Sequence, residues 1–93
     1  MWRVPETLQV LRYEYVANIL ERRGEHRDAH LSLISAQHAD GRIVLAGAIG
    51  DPPHGGLIVF RSADDARAFA GDDPYVKAGL VTHWTVEPWN VVT

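Results

Sequence analysis

The sequence predicts an α+β domain in which four strands and two helices follow one another in the order β-α-β-β-α-β. Three observations predict it. A stretch near the start alternates apolar and polar residues with the period of a strand. Two short apolar runs lie back to back around a Gly/Pro turn in the middle of the chain. A helical pattern follows the first strand, and another follows the third, each bounded by capping residues and glycine.

In the first strand, Leu8 to Val16, the residues Leu11, Tyr13 and Tyr15 share one face while Arg12 and Glu14 share the other. The next segment, Asn18 to Arg27, is polar and carries Arg22, Arg23, Gly24 and Arg27, so it reads as a loop or a loosely helical link. Asp28 is suited to cap a helix reaching about Ala39, in which Leu33, Ile34 and Gln37 lie on the same face as His30. Gly41 ends that helix. Ile43 to Ile49 and Gly56 to Phe60 are apolar runs joined by the turn Gly50 to Gly55, and they should pair as antiparallel neighbours. Ser62 with Asp65 has the form of a capping box, Ala66, Phe69 and Ala70 line one side of the second helix, and Gly71 closes it. Asp73-Pro74 is a cap followed by proline at the first helical position, opening a short turn through Tyr75 and Val76 to Gly79. The last strand runs from about Val81 to Val91.

This order matches the ferredoxin-like arrangement, with both helices on one face of a four-stranded antiparallel sheet. Strands two and three are apolar on both faces. Ile43, Leu45 and Ile49 should point one way and Val44, Ala46 and Ala48 the other, while Leu57 and Val59 oppose Ile58 and Phe60. A face left in water would be polar, so the simplest cover is the same face of a second copy related by a twofold axis. Trp84 and Trp89 add large apolar area to the core or to that interface. A 93-residue chain without cysteine has no disulfide to support its small core, which also favours a homodimer.

Nine Lys+Arg against twelve Asp+Glu, a net charge of −3, provide no field to attract nucleic acid. Met1 to Glu6 lacks the charged and then apolar pattern of a secretory leader, and no segment reaches membrane-spanning length, so a soluble cytoplasmic protein without a membrane partner is expected. Gly47, Gly50, Gly55 and Gly56 form no phosphate-binding pattern.

Few residues carry chemistry. His30, in the opening turn of the first helix as drawn above, is a candidate general base, although a histidine there equally fits as a hydrogen-bonded filler between helix and sheet. Asp73 is suited to orient such a ring, and equally to cap the short helix it precedes. Arg22, Arg23 and Arg27 are placed to hold a carboxylate or other small anion, or to stand solvated. His26 and His30 have helical zinc-ligand spacing but lack a third ligand and the metalloprotease glutamate, so no metal is assigned. His54 in its turn and His83 in the last strand belong to no such pattern.

Three segments, Arg27-Asp28-Ala29-His30-Leu31, Gly41-Arg42-Ile43-Val44-Leu45-Ala46-Gly47-Ala48 and Asp73-Pro74-Tyr75-Val76-Lys77-Ala78-Gly79-Leu80, resemble the YCII-related family of dimeric α+β-barrel proteins. The resemblance implies a single domain over residues 1–93. It also implies an active-site pair at His30 and Asp73. A proline common between the family's arginine and histidine is replaced here by Asp28. Relatives on the same barrel, muconolactone isomerase and a chlorinated-hydroquinone dehydrochlorinase, act on small ring compounds. The expectation is therefore a cofactor-independent lyase or isomerase, with a dehydrochlorinase-like reaction among the options, acting on a small cyclic or anionic ligand. His30 and Asp73 would move the proton, and Arg27, Tyr13 and Tyr75 would contact the substrate in a pocket between the first helix and the sheet. The alternatives are a noncatalytic ligand-binding or accessory dimer, and a purely structural dimerisation module that would have no concave pocket.

Overall fold

The computed structural model describes residues 6–93; residues 1–5, part of the segment inspected for a leader, lie outside it. The elements are β1 (Glu6–Tyr15), α1 (Ile19–Arg22), α2 (Gly24–Ala39), β2 (Ile43–Ile49), β3 (Gly55–Phe60), α3 (Ala63–Asp72), α4 (Pro74–Lys77) and β4 (Val81–Val91). The strands form one antiparallel sheet in the order β2-β3-β1-β4. That is the ferredoxin-like α+β arrangement the alternating and apolar runs predict.

The alternation in β1 sends Leu11 and Tyr13 to the helix side, where they are buried with Ile43, Ile58 and Phe60 of the neighbouring strands. Ala66, Phe69 and Ala70, spaced three and four apart, bring α3 down onto this layer, and the Phe69 ring meets Phe60 at 5.5 Å. Ser62 caps α3 by accepting the Asp65 N–H, as its capping-box form predicts. A smaller cluster of Ile19, Tyr75 and Leu80 ties α1 and α4 to the start of β4.

Three local expectations are corrected. Of the two readings of residues 18 to 27 the helical one holds, but the long helix starts earlier than Asp28: Arg23 has helical dihedrals, φ −75° and ψ −19°, and the backbone passes from α1 almost directly into α2 at Gly24. Asp28 is consequently an exposed residue inside α2 and caps nothing, and His30 is in the second turn, not the first. Second, the register of β2 shifts between Ile43 and Leu45. This irregularity sets Ile43 opposite Phe60 on the helix side, while Leu45 pairs with Val59 and stands 58% exposed on the other, so the two do not share a face. Third, α3 continues through Gly71 to Asp72.

The face away from the helices is apolar. Val10 of β1, Leu57 and Val59 of β3 and Trp89 of β4 line a shallow depression of about 250 Å³ with Arg12 and Glu87 at its rim. Trp89 is 49% exposed there.

Candidate functional site

Asp73 lies at the junction of α3 and α4, where extended dihedrals free its side chain to accept the Tyr75 N–H at 3.1 Å and cap α4 ahead of Pro74. The same carboxylate reaches further. Oδ1 is 2.8 Å from Nδ1 of His30, and Oδ2 accepts the Tyr13 hydroxyl at 2.7 Å. Asp73 is fully buried and His30 nearly so. Structural cap and histidine partner, the two readings of Asp73, are therefore both realised in one carboxylate.

His30 is positioned from three directions. The helical face it shares with Ile34 and Gln37 turns it towards the sheet, Asp73 holds Nδ1, and the Tyr75 ring stacks on the imidazole at 3.7 Å with an interplanar angle of 4°. A carboxylate accepting from Nδ1 selects the tautomer with its proton on that nitrogen. Nε2 then carries the free lone pair, and among the described residues no side chain or backbone group hydrogen-bonds it.

His30 also forms part of the wall of a cavity of about 280 Å³ between α2 and the sheet. Ala46, Ala48 and Gly56 make a floor of small residues, Ile34 and Ile58 add apolar wall, and Tyr15, Arg23 and Arg27 stand at the mouth. No carboxylate lines it. Arg23 and Arg27, four residues apart, make no ion pair with an acid among the described residues, so the mouth is electropositive.

The structure thus brings His30, Asp73 and Arg27 to one site. Tyr13 and Tyr75 are there too, but in other places than a substrate contact implies: Tyr13 lies behind Asp73, and Tyr75 lies against the imidazole face, neither lining the cavity. Arg22 and His26 fall around a separate surface hollow. Among the described residues no group of three metal-ligating side chains occurs. Arg23, read from sequence with Arg22 and Arg27 as able to hold a small anion, lines the cavity, and the one contributor missed from sequence is Tyr15. The signal for it was present, since Tyr15 shares the strand face of Tyr13.

All three tyrosines of the chain belong to this cluster. Burial pushes the Tyr13 phenol far above its ordinary value, reinforced by the adjacent Asp73 charge. Burial pushes Tyr15 up to about 12 with help from Tyr75 and Asp73, against the pull of Arg23. Tyr75 is also raised by burial, although Arg23 and Arg27 oppose the shift. For an acid whose folded value is raised, the fold favours the neutral form. That stability is fully present below the ordinary value of 10.0 and is lost as pH climbs through the folded values, about 12 for Tyr15. Tyrosinate absorbance at pH 10.0 is accordingly expected to fall below that of free tyrosine and to rise together with alkaline unfolding. A folded protein with its phenols half ionised at that pH would contradict this picture.

Comparison with known proteins places the chain in a family. The family model described as YCII-related domain matches residues 8–90. Protein YciI of Escherichia coli O6:H1 is 34% identical over 96 residues, covering 91% of this chain and 98% of that protein. An uncharacterized protein of Haemophilus influenzae is 32% identical over 88 residues, covering 83% and 90%. Among solved structures, the chain is similar to the 5-chloro-2-hydroxyhydroquinone dehydrochlorinase TftG of Burkholderia phenoliruptrix AC1100, in complex with 2,5-dihydroxybenzoquinone. The TM-score is 0.73 at 25% identity, over 89% of this chain and 93% of that one. By the family model and by relatives aligned over almost their whole length, the chain belongs to the YCII-related domain family.

Proposed function

We propose that this protein is a lyase or isomerase that transfers a proton through His30 on a small cyclic, anionic substrate. The observation that carries the reading is the buried carboxylate of Asp73 fixing Nδ1 of an imidazole that lines a cavity and whose other nitrogen has no hydrogen-bond partner among the described residues. Nε2 takes a proton from a ring C–H or O–H. The electron pair left behind either expels a leaving group as its anion, giving a lyase, or shifts a double bond so that the proton returns at another atom, giving an isomerase. Asp73 stabilises the imidazolium formed in between. Arg27 holds the anionic oxygen. No cofactor is needed for either course.

A likeness to a dehydrochlorinase with a bound dihydroxybenzoquinone supports the lyase course and a planar ring substrate. Chloride release from 5-chloro-2-hydroxyhydroquinone, followed with a chloride electrode, is the test. Saturable release well above the buffer rate is expected. Binding of the compound without any release would leave a ligand-binding domain in place of a lyase.

The reading includes a homodimer in the cytoplasm. It is supported by the apolar sheet face, where Val10, Leu57 and Trp89 would otherwise meet water, and by the absence of cysteine. Trp89→Glu sets a charge on that face at a position already half exposed, so it is expected to give a folded monomer by sedimentation and circular dichroism. An unaltered dimer would move the interface elsewhere.

A further inference from the structure

The hydroxyl of Tyr15 has no hydrogen-bond partner among the described residues, and its half-buried side chain lines the cavity between two arginines and the small-residue floor. It also depends on a glycine. A Cβ built at Gly56 would lie 2.8 Å from that hydroxyl and 3.4 Å from the carbonyl oxygen of Gly47, so any side chain at position 56 must displace the phenol. Gly56 has an ordinary backbone conformation, since positive φ is confined to Gly41, Gly50 and Gly79. The space, and not the backbone, is what requires glycine there.

We propose that Tyr15, with Arg23 and Arg27, forms the anion-recognition end of the cavity. Its phenol donates a hydrogen bond to the carboxylate or phenolate oxygen of a planar ring, and Gly56 stays bare so that the hydroxyl keeps its place. This deepens the proposed function and rests on it only for the identity of the site. The charge balance favours an anion, because two guanidinium groups and no carboxylate face the cavity. The size suits one ring: a cavity of about 150 Å³ is enough for benzene, and this one measures about 280 Å³. Burial keeps the Tyr15 proton in place to about pH 12, so the donor is present throughout the physiological range. The ligand would then lie with its charged oxygen at the mouth and its reacting atom towards Nε2 of His30.

The test uses benzoate and 4-nitrophenolate as anionic probes and benzamide as a neutral probe of benzoate's shape, with dissociation constants from calorimetry on the full chain. The protein is expected to bind the anions more tightly than benzamide, the better of the two showing whether carboxylate or phenolate fits the clamp. Tyr15→Phe retains the ring that packs on Tyr13 and Tyr75. It is expected to weaken the anions about ten-fold, the loss of one charge-assisted hydrogen bond. Gly56→Ala is expected to weaken them similarly, but to cost little more in the Y15F background, where the displaced hydroxyl is gone. A purely structural glycine would cost the same in both backgrounds. Anion affinity unchanged by Tyr15→Phe overturns the inference, as does a protein that binds neither anion. His30→Gln separates the two claims, since it should abolish turnover while sparing benzoate. Retained turnover there sinks the proposed reaction and leaves the anion site standing.

Discussion

Asp73→Ala is expected to be the most damaging single change at the site, lowering stability by about 3–5 kcal/mol. Three buried donors converge on this carboxylate: the Tyr13 hydroxyl at 2.7 Å, Nδ1 of His30 at 2.8 Å and the Tyr75 N–H at 3.1 Å. Removing the acceptor leaves each of them dry and unpaired, at about 1–3 kcal/mol apiece, and removes a helix cap as well. In a domain of this size each kcal/mol moves Tm by about 4–8 °C, so the midpoint should fall by well over 10 °C. Asp73→Asn separates shape from charge. Its oxygen can still accept from His30 and Tyr75, and the Tyr13 hydroxyl can turn to accept from the amide, so about 1–2 kcal/mol is the expected cost. Thermal or urea unfolding of the two variants checks the difference. An alanine variant within about 1 kcal/mol of the parent would mean that the three bonds do not hold these elements together.

The second large effect is on rate. His30→Ala removes the imidazole that lines the cavity, and the loss of a positioned general acid or base costs about 10²–10⁴-fold in kcat. KM should change little, because Arg23 and Arg27 remain at the mouth to hold the anion. Some stability is lost with the ring that Tyr75 stacks upon, so folding of the variant is checked by circular dichroism before its rate is read. A variant that loses affinity and not kcat would recast His30 as a binding residue.

Most of the fold was legible because its signals are local. The alternation through Leu11, Tyr13 and Tyr15, the apolar runs around the Pro52-Pro53 turn, and the Ser62 and Asp73 caps each specify their element without knowledge of the rest. The start of α2 was not legible. Arg23 joins two helical pieces through backbone dihedrals alone, with no side-chain cap to mark the boundary. Nor was the register shift of β2, since residues 43 to 49 are apolar on both sides and the alternation carries no information about which side Leu45 takes. At the site, His30 and Asp73 stood out through the family resemblance, and the residues alone left each with an ordinary alternative. Their separation of 43 positions is bridged only by the tertiary fold. Tyr13 and Tyr75 show why chemical type is not enough: both are close to the imidazole, yet one serves the carboxylate and the other the ring face. Tyr15, two residues along the same strand face, is the one that reaches the cavity.

The central claim is that the imidazole at position 30 moves a proton, and chemical rescue of His30→Ala tests it most directly. Chloride release from 5-chloro-2-hydroxyhydroquinone would be followed in the alanine variant with and without added imidazole, which can enter the space left at the cavity wall. Release that falls by orders of magnitude and is restored in proportion to added imidazole is the predicted result; release at the parent's rate without imidazole would contradict it.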